Sequence, residues 1–96
     1  MIVGFKDETT QDIYDGTNLR AARKIPMQVW EVAGRKLDMV NAATQVRDLA
    51  SPPGNHLEAL KGNLAGHHSI RINDQYRIVF KFAQGNATDV WITDYH

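Results

Sequence analysis

The 96-residue chain contains no cysteine, so the sequence excludes disulfide bonds and thiolate metal sites. This absence is typical of a protein from a reducing compartment. No apolar run approaches the roughly 20 residues that a membrane-spanning helix needs. Residues 1–6 lack the basic segment, long apolar core and cleavage site of a signal peptide. We therefore expect a cytoplasmic protein without a membrane anchor.

The chain also lacks an excess of either charge, since eleven basic residues balance eleven acidic ones. A neutral protein has no strong general attraction to a polyphosphate, which argues against a non-specific nucleic-acid-binding protein. The charges are nevertheless unevenly distributed along the chain, because residues 56–81 hold four cations and only two acids. A local basic surface on a neutral protein is therefore expected.

Two helices are predicted in the first half of the chain. Asp7 can cap a short helix that begins near Glu8 and ends at Gly16. After a loop, Pro26 suits the first position of a longer helix that runs to about Ala43. Four apolar residues of this helix recur at three- and four-residue spacing and form one stripe: Trp30, Ala33, Leu37 and Val40.

The second half of the chain has the period of β-strands. The two prolines in residues 51–55 end the helical half. A short extended piece then precedes strands at 67–72 and 76–82, and a turn at 84–88 leads to the last strand, 89–95. Connections this short favour an antiparallel meander of hairpins, with which the opening run of residues 2–5 can pair. The sequence predicts one α+β domain over 1–96, a small antiparallel sheet covered by N-terminal helices.

Strand alternation predicts a basic face on this sheet. Arg77 lies on the same side as Lys81, away from the aromatic side that meets the helices. Arg71 lies across a tight turn, so two guanidinium groups can converge on one phosphate or carboxylate. A single surface arginine more often forms an ordinary ion pair. The three cations together nevertheless predict an open face that binds phosphate.

The last three residues, Asp94, Tyr95 and His96, bring an acid, a phenol and an imidazole to the end of a strand. Imidazole exchanges protons near neutral pH, and Asp94 can orient it. The structural alternative makes Asp94 a strand-end cap, Tyr95 a core aromatic and His96 a loose tail. No metal site and no cofactor are expected, because cysteine is absent and His67 and His68 point to opposite faces of a strand.

Four segments carry a resemblance to a known family. They are Arg35-Lys36-Leu37 in the long helix, SPPGNHLEALKG at residues 51–62, HSIRINDQYRI at 68–78 and the terminal DYH. In this order the segments are similar to those of the HigB toxins, which belong to bacterial toxin–antitoxin pairs in the RelE superfamily. The resemblance covers nearly the whole chain. It implies a small fold of the microbial ribonuclease type.

The resemblance also implies an activity. Members cleave messenger RNA on the translating ribosome through attack of a ribose 2′-oxygen on the adjacent phosphate, without a metal. This reaction needs a base, cations for the phosphate and an acid for the departing oxygen. The resemblance places Asp94, Tyr95 and His96 at the active site, and phosphate contacts at Lys61, Arg71 and Arg77. Where some members have a histidine, this chain has Glu58, so Glu58 and the nearby His56 are both candidates for that role.

The family implies partners as well. These are a HigA-like antitoxin with a helix-turn-helix fold, the ribosome with its mRNA, and promoter DNA bound only through the toxin–antitoxin complex. Two alternatives stay open. The same superfamily includes toxins that bind and inhibit DNA gyrase without nuclease activity, and Glu58 and the neutral charge also fit a degenerate toxin that retains only antitoxin binding.

Overall fold

A computed structural model describes residues 1–17 and 20–94 of the chain. Within this part, two α-helices are followed by four strands: α1 (Glu8–Asp15), α2 (Met27–Ala42), β1 (Glu58–Ala59), β2 (His67–Arg71), β3 (Tyr76–Ala83) and β4 (Asn86–Asp94). The strands form one antiparallel sheet in the order β1-β2-β3-β4. This confirms the predicted α+β class and the meander.

Both predicted helices form, with small differences at their ends. The Asp7 carboxylate accepts the Thr10 amide at 2.9 Å, and Gly16 ends α1 in the left-handed conformation, as predicted. Pro26 precedes α2 instead of opening it, because its ψ of 137° is extended. The connection predicted as a loop contains one 3-10 turn, Ala22–Lys24.

The core lies between α2 and one face of the sheet. The helix contributes Val29, Ala33, Leu37 and Val40, and the sheet contributes Ile70, Ile78, Phe80, Val90 and Ile92. Ile72, immediately after β2, belongs to the same core. Trp30 of the predicted stripe is only half-buried, and its indole N–H donates to the Ile25 carbonyl at 2.8 Å. Because this core covers the inner face, the strand residues between its members belong to the outer face.

The last strand begins earlier than predicted. Only Gln84 and Gly85 make the turn, and their positive φ angles of 54° and 80° suit a two-residue hairpin. Residues 86–88, assigned to the turn from the sequence, therefore belong to β4. The register then shifts between Val79 and Lys81, and on β4 Asp89 has a φ of 50°. This bulge is invisible to a strict two-residue alternation.

The opening segment pairs with β4, although it is not a continuous strand. Two isolated parallel bridges, Ile2 to Ala87 and Phe5 to Val90, attach it to the sheet. Helix α1 is fastened to the same strand, because the buried Thr10 hydroxyl accepts the Ile92 amide at 2.8 Å. Across residues 1–17 and 20–94, neither helix has the length and apolarity required to cross a membrane.

Candidate functional site

A cleft of about 300 Å³ opens on the outer face of the sheet. Its walls come from β2, β3, β4 and the segment before β2, and its lining residues are Leu60, Leu64, Ser69, Arg77, Val79, Thr93 and Asp94. Strand pairing explains why they meet. Ser69 lies opposite Val79, and Arg77 lies opposite Thr93, so these side chains share one face of three adjacent strands.

Arg77 is the buried cation of this cleft, with 5% of its surface exposed. Its Nε donates to the Ser69 hydroxyl at 2.9 Å, and its Nη2 donates to the His56 carbonyl at 2.7 Å. These contacts orient the guanidinium and tie β3 to both β2 and the loop before β1. The prediction that Arg77 belongs to an open basic face is therefore wrong, because the side chain is enclosed by the residues that hold it.

Glu58 and His56 approach Arg77 in different ways. Glu58 pairs with Ser69 across β1 and β2, and its Oε1 lies 3.9 Å from Arg77 Nη2. His56 is exposed and adopts a left-handed backbone conformation with φ 46°, which turns its carbonyl to the guanidinium. The carboxylate of Glu58 therefore reaches the cleft cation, whereas His56 reaches it through the main chain.

The other predicted phosphate ligands are not part of the cleft lining. Arg71 lies directly opposite Arg77 in the strand register and pairs with Asp74, while its Nε donates to the Asn73 carbonyl at 3.1 Å. Lys81 lies further along β3, and its Nζ is 3.6 Å from Asp89. Both are more accessible than Arg77, but neither cation is without a carboxylate.

Lys61 is exposed and lies between the cleft lining and a 3-10 turn. The residue immediately before it, Leu60, lines the cleft, and Lys61 precedes the 3-10 turn Gly62–Leu64. The backbone therefore brings Lys61 next to a cleft residue, and its contact with phosphate stays a prediction.

Asp94 ends β4 at the rim of the cleft. It pairs with Tyr76 in the register, and its carboxylate accepts the Gln75 side-chain amide at 3.0 Å. The adjoining predicted residues, Tyr95 and His96, lie outside the described residues. The strand thus brings the chain to the cleft at the residue before them.

Sequence reasoning missed Ser69, Leu60 and Leu64 as cleft residues. Ser69 is buried and its hydroxyl accepts Arg77, so it contributes to the geometry of the site. Alternation along β2 assigns Ser69 to the same face as Arg71, so the sequence does indicate on which side of the sheet Ser69 lies. The contact with Arg77 depends on the β2–β3 register, which the pattern of one strand does not contain.

An aromatic cluster beyond the cleft was also missed. Trp91 lies opposite Val79 on β4, with Lys6 Nζ 3.9 Å from the centre of its ring. His67 meets the same indole edge to face, with ring centres 5.9 Å apart. This cation–π and aromatic arrangement joins the opening segment, β2 and β4 on the outer face.

The Arg35-Lys36-Leu37 segment of α2 contacts the proline-rich segment 51–55. Lys36 donates to the side chain of Asn55, which is fully buried, and Asn55 Nδ2 donates to the Leu49 carbonyl at 3.1 Å. Burial lowers the pKa of the Lys36 ammonium below its usual value, and the neighbouring Arg35 guanidinium lowers it further. These contacts fasten the loop that carries the His56 carbonyl to α2.

In the described ranges, 1–17 and 20–94, no group of three or more histidine, aspartate or glutamate side chains is arranged to hold a metal ion.

Comparison with known sequences identifies close relatives. Residues 3–96 match a family described as the RelE-like toxin of type II toxin-antitoxin system HigB. The chain is 38% identical over 92 residues to Toxin HigB-1 of Vibrio cholerae serotype O1, and the aligned residues cover 96% of this chain and 95% of that protein. It is 41% identical over 69 residues to an uncharacterized protein of Haemophilus influenzae, covering 72% and 68% respectively.

Solved structures show the same fold at much lower identity. A crystal structure of the heterotetrameric YoeB-YefM toxin-antitoxin complex from Staphylococcus aureus contains a chain with a TM-score of 0.61 and 17% identity, covering 100% of this chain and 98% of that one. A second YoeB-YefM complex from the same organism gives a TM-score of 0.57 and 16% identity, with the same coverage. The architecture is thus RelE-like, and the sequence match over residues 3–96 shows that the chain belongs to the HigB-like family of type II toxin–antitoxin toxins.

Proposed function

We propose that this HigB-family toxin is an endoribonuclease that cleaves messenger RNA on the translating ribosome and so inhibits translation. The observation that carries the proposal is the cleft at the end of β4, which is lined both by the oriented guanidinium of Arg77 and by Asp94. Cleavage by a ribose 2′-oxygen accumulates negative charge on the phosphate. A preorganised cation beside that phosphate stabilises the charge without rearranging.

The proposed roles follow from charge and position. Arg77 holds the scissile phosphate, and Lys61, Arg71 and Lys81 contact it or the neighbouring phosphates. His96 and Tyr95 are the proposed proton-transfer groups, because imidazole titrates near neutral pH and the preceding residue, Asp94, lies at the rim of the cleft. Glu58 is favoured over His56 as the second proton-transfer group, since its carboxylate lies 3.9 Å from Arg77 Nη2.

A protein partner is part of the proposal. Both structural relatives come from YoeB-YefM complexes, one of them described as a toxin-antitoxin complex, which supports an antitoxin partner for this chain. We propose a HigA-like helix-turn-helix antitoxin that inhibits the toxin, with promoter DNA contacted through the complex. Co-expression with a HigA-like antitoxin is expected to relieve growth arrest and to yield a stable complex on purification.

The decisive experiment maps transcript ends after brief induction of the toxin, and repeats the mapping on a purified transcript with and without ribosomes. New 5′ ends within translated codons, formed only with ribosomes, are expected. Intact transcripts accompanied by DNA damage would instead identify gyrase inhibition, and intact transcripts and DNA with retained antitoxin binding would identify a degenerate toxin.

Removal of the last residue tests the proposed chemistry. A chain ending at Tyr95, and separately His96→Ala, should abolish the new transcript ends while the thermal melting curve and antitoxin binding stay unchanged. Lys24→Ala is the matched control, because Lys24 is exposed on the 3-10 turn between the helices and its loss should leave cleavage intact. Full cleavage by both terminal variants would exclude His96 from the reaction.

A further inference from the structure

Every ion pair in the described part of the chain involves a proposed RNA-binding cation. Within residues 1–17 and 20–94 there are three ion pairs: Arg71 with Asp74, Arg77 with Glu58, and Lys81 with Asp89. The remaining charged side chains of that part make no ion pair, although eleven cations and eleven acids are present in the sequence. Within the described residues only three of the eleven acids form an ion pair, and each of them does so with one of these three cations.

In each pair the carboxylate is at least as exposed as the cation. The Asp74 side chain is 95% exposed beside Arg71, which is 34% exposed, and the values for Asp89 and Lys81 are 55% and 52%. A carboxylate and a phosphate offer a guanidinium or an ammonium similar acceptor oxygens. Because exposed ion pairs contribute little to stability, a phosphate from solvent can displace such a carboxylate at small cost.

We propose that Asp74 and Asp89 substitute for RNA phosphates in the unbound toxin. Each keeps its cation, Arg71 or Lys81, close to the position in which RNA would be bound. Each also weakens the binding of free RNA, which is not held in place by the ribosome. This inference rests on the proposed function, since it assigns Arg71 and Lys81 to RNA. The acids cancel the electrostatic attraction between these cations and free RNA. This explains how a neutral toxin can carry phosphate-binding cations and yet depend on the ribosome to present its substrate.

Asparagine variants provide the test, because they remove the charge and retain the shape. Asp74→Asn removes the partner of Arg71. Asp89→Asn should not strain the backbone, because asparagine adopts the positive φ of 50° at this position more readily than most residues. Glu31→Gln is the matched control, because Glu31 is exposed on α2, in the layer opposite the cleft, and its loss changes the net charge equally.

The measurement is the fluorescence anisotropy of a labelled single-stranded 2′-O-methyl RNA oligonucleotide, which cannot be cleaved through a 2′-oxygen, at several salt concentrations. Each asparagine variant should bind about two- to fivefold more tightly than Glu31→Gln. The plot of log affinity against log salt should steepen by up to about 0.7 for each acid removed. Thermal melting should confirm that all the variants are folded.

The outcomes separate this inference from the proposed function. If ribosome-bound transcripts are cut but both asparagine variants bind RNA like Glu31→Gln, or more weakly, the substitution role is wrong and the nuclease stands. If transcripts stay intact, and Arg71→Ala and Lys81→Ala bind the oligonucleotide like the unaltered toxin, these cations do not contact RNA. The inference then fails together with the proposed function.

Discussion

Replacing Arg77 with alanine should reduce stability as well as activity. The variant removes the donors to the Ser69 hydroxyl at 2.9 Å and the His56 carbonyl at 2.7 Å. A hydrogen bond from a charged donor contributes about 1.5–3 kcal/mol, and a buried acceptor left without its donor costs about 1–3 kcal/mol. Because Ser69 is buried, we expect Arg77→Ala to lower the free energy of unfolding by about 3 kcal/mol.

This loss is large for a chain of 96 residues, whose free energy of unfolding is about 5–14 kcal/mol. It corresponds to a fall in melting temperature of about 12–24 °C. Thermal and urea unfolding of the purified toxin measure it, with Lys61→Ala as the control, because an exposed lysine should change stability by under about 0.5 kcal/mol. If Arg77→Ala melts within about 4 °C of the unaltered protein, the guanidinium does not hold the cleft together.

Two further predictions concern the frame around the cleft. Thr10→Val keeps the shape of the side chain but removes the acceptor of the Ile92 amide. The free energy of unfolding should fall by about 1–3 kcal/mol. Hydrogen exchange of the Ile92 amide should accelerate, and unchanged exchange would contradict this prediction. The amides of Gln45 and then Thr44 hold the pKa of Asp48 below its usual value. Since the folded pKa is depressed, this stabilisation is complete above the unfolded pKa of about 3.9 and is lost as the pH falls through the folded pKa. Asp48→Asn should therefore lower stability at neutral pH and flatten its acid dependence in pH-scanned melts, and equal acid slopes would refute the assignment.

The fold was largely predictable because local rules and the hydrophobic pattern agree along most of the chain. Asp7 and Gly16 mark the ends of α1, and the apolar stripe of α2 identifies its buried face. The predicted faces of β3 also agree with the core, which includes Ile78 and Phe80 but not Arg77. The start of β4 was not predictable in the same way. The bulge at Asp89 and the positive φ of Gln84 are tertiary features that neither residue type requires.

The candidate site was predictable only in its parts. Alternation assigns Arg71 and Arg77 to one face, and the register places them opposite each other. Their different environments could not be predicted, because burial of Arg77 depends on Ser69 from β2 and on the His56 carbonyl from a distant loop. A sequence pattern gives the side of a strand on which a residue lies, but not which other segments cover it. The proposed roles of Tyr95 and His96 stay predictions for the transcript-mapping variants.

The position of the cleft depends on the inner face of β3, whose apolar residues pack against the core and do not line the cleft. Because strand side chains alternate, a slip of β3 by one residue would turn Arg77 toward α2 and expose Phe80, which is fully buried. The cost of exposing Phe80 and burying a guanidinium without partners excludes that register. The hydrophobic inner face therefore determines that Arg77 and the opposite residue, Arg71, lie on the outer face. Substitutions that loosen this inner packing should affect the cleft without contacting it, and loss of toxicity alone does not identify a residue as catalytic.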